Sequence, residues 1–269
     1  MEEIYLIGNW KMNMLPADVL AYFDKFLINL RKYINTKKEK RDIKIKTLDA
    51  VKTIFAVPYI DMFYANLYAN EEKRIEIAAQ NVFHIDEGSY TGEVSPLMLK
   101  SIDIKYSIIG HSERRKMGET SKDIFQKANA LLKHNIVPII CIGESKDEEE
   151  KKKTKEVLKK QIKEIMENIN DKNSMQKIIF AYEPLWAIGT GKHCSKDKAN
   201  ENILYIKEVL KEEGIENPKV LYGGSVNAEN AREYIETKNI DGLLVGGASL
   251  KHTEFLKIYV EIIKVLNKE

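Results

Sequence analysis

Three kinds of titratable side chain stand just beyond short apolar runs of this sequence. Lys11, with Asn9 two residues before it, follows Ile4-Tyr5-Leu6-Ile7; His111, with Ser112 and Glu113 beside it, follows Ile104 to Ile109; Glu183 follows Ile178 to Tyr182. Taken singly, each has a bland reading. A lysine near a strand end is usually a solvated charge, a lone histidine a surface or satisfied core group, a lone glutamate an exposed one. Taken together, a base, a hydrogen-bond donor and a cation converging on one mouth are the parts that carbonyl chemistry needs.

Glycines supply a second signal. Gly189 and Gly191 come after Glu183, Gly223-Gly224-Ser225 after a seventh apolar run, and Gly246-Gly247 after an eighth. Glycine lets backbone N–H groups approach a ligand, and amides at a helix start favour an anion. Each pair alone is better explained as a tight turn between strand and helix. Their joint position suits a phosphate.

These residues need a scaffold that brings strand ends together. Eight short apolar runs alternate with longer amphipathic ones: Ile4 to Ile7, Thr53 to Val57, Ile75 to Ala79, Ile104 to Ile109, Ile136 to Ile142, Ile178 to Tyr182, Lys219 to Tyr222 and Gly242 to Val245. Several are apolar at successive positions, the pattern of strands buried on both faces of a parallel sheet. Helical spacing recurs between them, as in Val19, Phe23, Phe26, Leu27, Leu30 and Ile34, and again in Phe255, Ile258, Tyr259, Ile262, Ile263 and Leu266. Ser145 with Glu148 reads as a capping box opening one long charged helix. Eight strand-then-helix units predict an α/β protein, a single (β/α)8 barrel with its active site at the C-terminal ends of the strands. A doubly wound open sheet is the alternative. One domain is expected over residues 1–269, with a basic surface insertion at about 35–52.

Composition excludes several function classes. The 43 basic and 41 acidic side chains nearly cancel, which removes the one-signed field of a nucleic-acid binder. No stretch reaches the roughly 20 apolar residues of a membrane span, and the N-terminus lacks the pattern of a signal peptide. Two cysteines, Cys141 and Cys194, make no disulfide framework, so a cytoplasmic location is expected. Cys141 reads as a core residue and Cys194 as the more reactive thiol. His84, His134, His193 and His252 lack metal-ligand spacing, so no metal site is expected.

The ordered set of motifs resembles the triosephosphate isomerase family over nearly the whole chain. Gly8 to Asn13, Gln80-Asn81, Tyr90-Thr91-Gly92-Glu93, Ile109 to Arg115, Cys141 to Glu144, Ala181 to Lys192, Tyr222 to Val226 and Gly246 to Leu250 carry the resemblance. It implies interconversion of dihydroxyacetone phosphate and glyceraldehyde 3-phosphate through an enediol, in glycolysis and gluconeogenesis, without cofactor or metal. Glu183 is then the base, His111 the donor to the carbonyl oxygen and Lys11 the compensating cation. Asn9 orients the substrate, and Gly189, Ser225, Gly246 and Gly247 bind phosphate. Ser112 and Glu113 stand behind the groups that touch substrate. The resemblance also makes Pro184 to Lys192 a lid, and Tyr90-Thr91-Gly92 a loop that enters a neighbouring subunit, which implies a homodimer.

Two other readings remain open at this point. Lys11 as a Schiff-base former would make an aldolase or lyase on a phosphate-binding barrel. A non-enzymatic barrel would be expected to lose a catalytic side chain, yet Asn9, Lys11, His111 and Glu183 are all present. His193-Cys194-Ser195 departs from the family pattern after the lid, as does the length of the 35–52 stretch.

Overall fold

A computed structural model describes residues 3–39, 43, 45–187 and 194–267. The eight apolar runs become β1 (Ile4–Asn9), β2 (Val51–Val57), β3 (Ile75–Ala79), β4 (Tyr106–Ile109), β5 (Val137–Ile142), β6 (Ile179–Tyr182), β7 (Lys219–Tyr222) and β8 (Gly242–Val245). Each is parallel to the next, and β8 closes on β1 with Gly8 opposite Val245. The sheet is therefore a closed barrel, and the open-sheet alternative is discarded.

The run-like apolarity of the strands has a geometric cause. Successive strand residues point to opposite faces, and here both faces are dry. One cluster of buried residues lines the interior, including Ile7, Ile54, Ala78, Ile108, Ile139, Ala181, Leu221 and Leu244, and every strand contributes to it. Their neighbours, such as Leu6, Phe55, Ile77 and Phe180, join a larger cluster beneath the helices.

The helices are α1 (Pro16–Glu39), α2 (Ile45–Asp49), α3 (Met62–Ala69), α4 (Pro96–Ser101), α5 (Ser112–Lys116), α6 (Ser121–Lys133), α7 (Lys146–Glu150), α8 (Thr154–Met166), α9 (Lys196–Glu212), α10 (Ala231–Ile235) and α11 (His252–Leu266). The apolar stripes read in the sequence are the buried faces of α1 and α11. No helix among the described residues is long and apolar enough to cross a membrane.

Two expectations are corrected. The capping box of Ser145 and Glu148 is present, but the helix it opens ends at Glu150. Lys152 adopts φ +57°, which a right-handed helix does not tolerate, and α8 starts afresh at Thr154. The stretch expected as a surface insertion also contributes to the core. Its first residues extend α1 to Glu39, Thr47 and Leu48 of α2 are fully buried, and Val51 already belongs to β2.

Candidate active site

All four predicted catalytic and orienting side chains sit at the same mouth of the barrel. Asn9, the last residue of β1, is buried, and its Oδ1 accepts the backbone N–H of Lys11 at 3.0 Å. That bond holds Lys11 in a left-handed conformation, φ +55°, an uncommon state for a residue with a side chain. The turn sends Lys11 back across the mouth, where its Nζ lies 2.8 Å from Glu113 Oε1. The close approach of β1 to the turn after β8 explains Gly8. A Cβ there would stand 2.9 Å from Ser249 Cβ.

His111 leaves β4 and caps α5, its Nδ1 accepting the Glu113 N–H at 3.2 Å. An acceptor at Nδ1 must carry a lone pair, so the ring proton of the neutral imidazole is on Nε2. Nε2 lies 3.0 Å from Glu183 Oε1. Burial disfavours charging the imidazole, but the Glu183 carboxylate, and after it Glu113, outweigh burial and hold the His111 pKa above its ordinary value.

Glu183 follows β6 and is 2% exposed. Its second oxygen accepts the Ser112 N–H at 3.0 Å, so both carboxylate oxygens are held by groups from the β4 end. Two glycines make this placement possible. A Cβ on Gly143 would fall 1.8 Å from the Glu183 carbonyl oxygen, and one on Gly223 would fall 3.1 Å from Glu183 Cγ. Gln161 of α8 fixes Gly143 by bonding both its N–H and its carbonyl at 3.0 Å. Beneath Glu183, burial pushes the Cys141 thiol far above its usual range, and the nearby carboxylate adds to the shift.

A cavity of about 350 Å³ is lined by Asn9, Lys11, His111 and Glu183 together with Ser225, Gly246 and Gly247. Gly189 lies outside the described residues, as does Ile188 to His193 of the expected lid and hinge. Tyr90-Thr91-Gly92 is not brought to this cavity; the Tyr90 ring packs on Phe83 and remains 45% exposed. Ser112 and Glu113 both lie within reach of the central groups, Ser112 through its amide. Gly143 and Val226 appear in the sequence reading only inside motifs, without a role, and Gln161 and Leu244 were not singled out. Leu244 and Val226 wall the cavity, and only the alternation of β8 could have pointed to Leu244.

A larger open cleft, about 1000 Å³ between residues 84–87 and α6, is lined by His84, Asp86, Glu87 and Lys133, with Asp86 and Lys133 ion-paired to each other. Among the described residues, no group of three or more His, Cys, Asp or Glu is arranged to hold a metal ion.

A base is held against a histidine, with a cation at the rim and glycines in the same cavity lining. The profile of the family described as triosephosphate isomerase matches residues 4–262. The chain belongs to the triosephosphate isomerase family. Proteins named triosephosphate isomerase from two strains of Dehalococcoides mccartyi are 38% identical to it over 273 aligned positions, covering all of both chains. Another from Dictyoglomus turgidum is 37% identical, covering 96% of this chain and 99% of its own. Membership makes the chain an isomerase. In triosephosphate isomerase terms one expectation fails: Cys194 is not a reactive thiol. It is fully buried, and burial raises its pKa to about 12, so the nucleophilic thiolate is disfavoured.

Proposed function

We propose that this chain interconverts dihydroxyacetone phosphate and D-glyceraldehyde 3-phosphate, with Glu183 moving the proton between the two carbons. The observation that carries this reading is the buried Glu183 carboxylate, 3.0 Å from His111 Nε2 at the wall of the cavity. A carboxylate out of bulk water is a stronger base toward carbon, and it must give up a donor to act, so substrate entry replaces the His111 contact. Losing that contact removes the main influence that raised the His111 pKa and leaves burial to favour the neutral imidazole, which carries its proton on Nε2 and donates to the carbonyl oxygen. This division between a glutamate base and a neutral histidine is established for triosephosphate isomerases. Lys11 offsets the negative charge of the enediolate and phosphate, while Asn9 orients the substrate oxygens. Ser225, Gly246 and Gly247 are assigned to the phosphate, and Ser112 and Glu113 to holding Glu183, His111 and Lys11.

The Schiff-base alternative has no support in this site. Lys11 is ion-paired to Glu113 and keeps 29% of its side-chain surface, without the dry pocket that activates such a lysine.

Two further assignments belong to this reading. The first is a homodimer. Met12, Leu15, Ile60, Phe63, Leu67 and Met117 are each more than half exposed, on the segments that follow β1, β2 and β4, and Met12 and Met117 line a cavity with Lys11. Large apolar side chains grouped in this way mark interaction surfaces. The second is work in glycolysis and gluconeogenesis in the cytoplasm, which suits two free, buried cysteines.

The test is isomerisation of glyceraldehyde 3-phosphate, coupled to NADH oxidation by glycerol-phosphate dehydrogenase. Turnover abolished by Glu183→Gln is the expected result. Glu183→Asp, which withdraws the carboxylate by about 1 Å, should cost on the order of 10² in kcat. No turnover by folded wild-type protein would overturn the substrate assignment, and near-normal turnover by Glu183→Asp would remove Glu183 from its role.

A further inference from the structure

Two tyrosines are buried behind the turn that follows β7. Tyr222 ends the strand, immediately before Gly223-Gly224-Ser225, and Tyr234 lies on α10. Their rings stack with centroids 4.2 Å apart and planes 20° from parallel, and neither residue has exposed surface. Buried phenols need partners, and here each hydroxyl finds one without leaving the pair's surroundings. The Tyr234 hydroxyl donates to the Cys194 carbonyl at 2.5 Å. The two hydroxyls are 3.4 Å apart. With the single proton of Tyr234 committed to the carbonyl, Tyr222 is the donor between them. Tyr222, Tyr234 and the Cys194 carbonyl are thus joined in one chain of hydrogen bonds.

That chain bears on the turn through Gly224. A Cβ there would stand 2.2 Å from the Tyr222 hydroxyl oxygen and 2.5 Å from its Cζ. The Tyr222 side chain therefore lies against the bare backbone of Gly224, and whatever fixes the ring fixes the turn. Tyr222 is fastened on its other side by Tyr234, which lines no part of the cavity itself.

We propose that Tyr234 is a positioning residue for the phosphate end of the substrate site, holding the Tyr222 ring against Gly224 so that the Gly223-Gly224-Ser225 turn is set before substrate arrives. The proposal rests on the assignment of that turn to the phosphate. Preset amides bind an anion without first being ordered. A loosened turn would be ordered at the expense of binding energy, while Glu183 and His111, held by the β4 end, would keep their geometry. The effect falls on KM and leaves kcat.

The experiment is Tyr234→Phe in the full-length protein, which removes the hydroxyl and keeps the stacked ring. KM for glyceraldehyde 3-phosphate and the inhibition constant of inorganic phosphate should rise together by about fivefold, the worth of one hydrogen bond, with kcat within roughly twofold of wild type. Tyr234→Leu, which also removes the stack, should raise both constants further. Thermal unfolding of each variant separates this from a purely structural role. A lowered melting temperature with unchanged KM and unchanged phosphate inhibition overturns the proposal, as does a fall in kcat at constant KM. Wild-type protein that inorganic phosphate does not inhibit competitively would show instead that the phosphate assignment of the turn is wrong, and the proposal falls with it.

Discussion

At the scale of single residues, the site depends on atoms that are missing as much as on those that react. Asn9, Lys11, His111 and Glu183 were legible in the sequence because polar groups stand out at the ends of apolar runs. Gly143 was not, because its contribution is the lack of a Cβ beside the Glu183 carbonyl, a contact made only once β5 and β6 pair. Nor was Gln161, whose amide grips Gly143 from 18 residues away. A contrast between glycines tests this account. Gly143→Ala places a methyl 1.8 Å from a backbone oxygen that has no freedom to yield, so β6 must shift and carry Glu183 with it. Displacing a base by about 1 Å costs on the order of 10² in rate, and kcat should fall by at least that amount. Gly247→Ala adds a methyl that meets nothing within 4 Å, so the protein should fold and melt as wild type. Circular dichroism and steady-state kinetics on the pair check both halves. Equal kcat in wild type and Gly143→Ala would show that the base is positioned in another way.

At the scale of elements, the sequence was a good guide wherever periodicity and hydrophobicity agreed. Every residue named for the stripes of α1 and α11 is buried, with only Tyr22 and Val265 omitted. It failed where a break carries no glycine or proline, as at Lys152 between α7 and α8, and where a charged stretch hides core residues, as at Leu48 in α2. Ties between elements were invisible for a related reason: they join residues far apart in sequence. Asp86, in the connection from β3 to α4, binds Lys133 Nζ at 2.8 Å and His134 Nε2 at 2.7 Å at the end of α6. The Lys133 hydrogen bond, and with it the His134 contacts, hold the Asp86 carboxyl below its ordinary pKa against a small desolvation. A carboxylate with a depressed folded pKa stabilises the protein above its unfolded pKa and loses that contribution as pH falls through the folded one. Asp86→Asn should therefore melt lower than wild type at neutral pH, by an amount equivalent to ~0.5 kcal/mol for this partly solvated cluster. The gap should close in acid, once wild-type Asp86 is protonated in both states. Paired melting curves across the acid range decide it, and a gap that widens toward acid would contradict the assigned tie.

At the scale of the whole molecule, barrel closure was legible because eight strand-helix alternations leave few other ways to bury both faces of a parallel sheet. The outer surface was less so. No periodicity distinguishes an apolar side chain that waits for a partner from one that packs inside. In the fold, Met12 is 96% exposed although it immediately follows Lys11, and Phe63 and Leu67 point outward from α3 at 59% and 54%. Leaving such groups in water costs roughly 25 cal/mol for each Å² of apolar surface, so a second copy covering them gains stability from every one. The proposed dimer also has a functional consequence, because Met12, Glu113 and Met117 line a second cavity of about 270 Å³ that shares Asn9, Lys11 and His111 with the catalytic one. Covering that side would restrain Lys11, whose turn is strained and whose side chain is otherwise fixed mainly by Glu113 at the rim. The prediction is a wild-type particle of twice the 31.0 kDa chain mass at low micromolar concentration by sedimentation. Phe63→Glu, which puts a charge on the patch and touches no group of the catalytic cavity, should sediment as a single chain. Its specific activity should be lower than that of wild type at every concentration while its circular dichroism spectrum is unchanged. A wild-type protein that stays at single-chain mass with full activity would refute the dimer and show that Lys11 needs no partner to hold it.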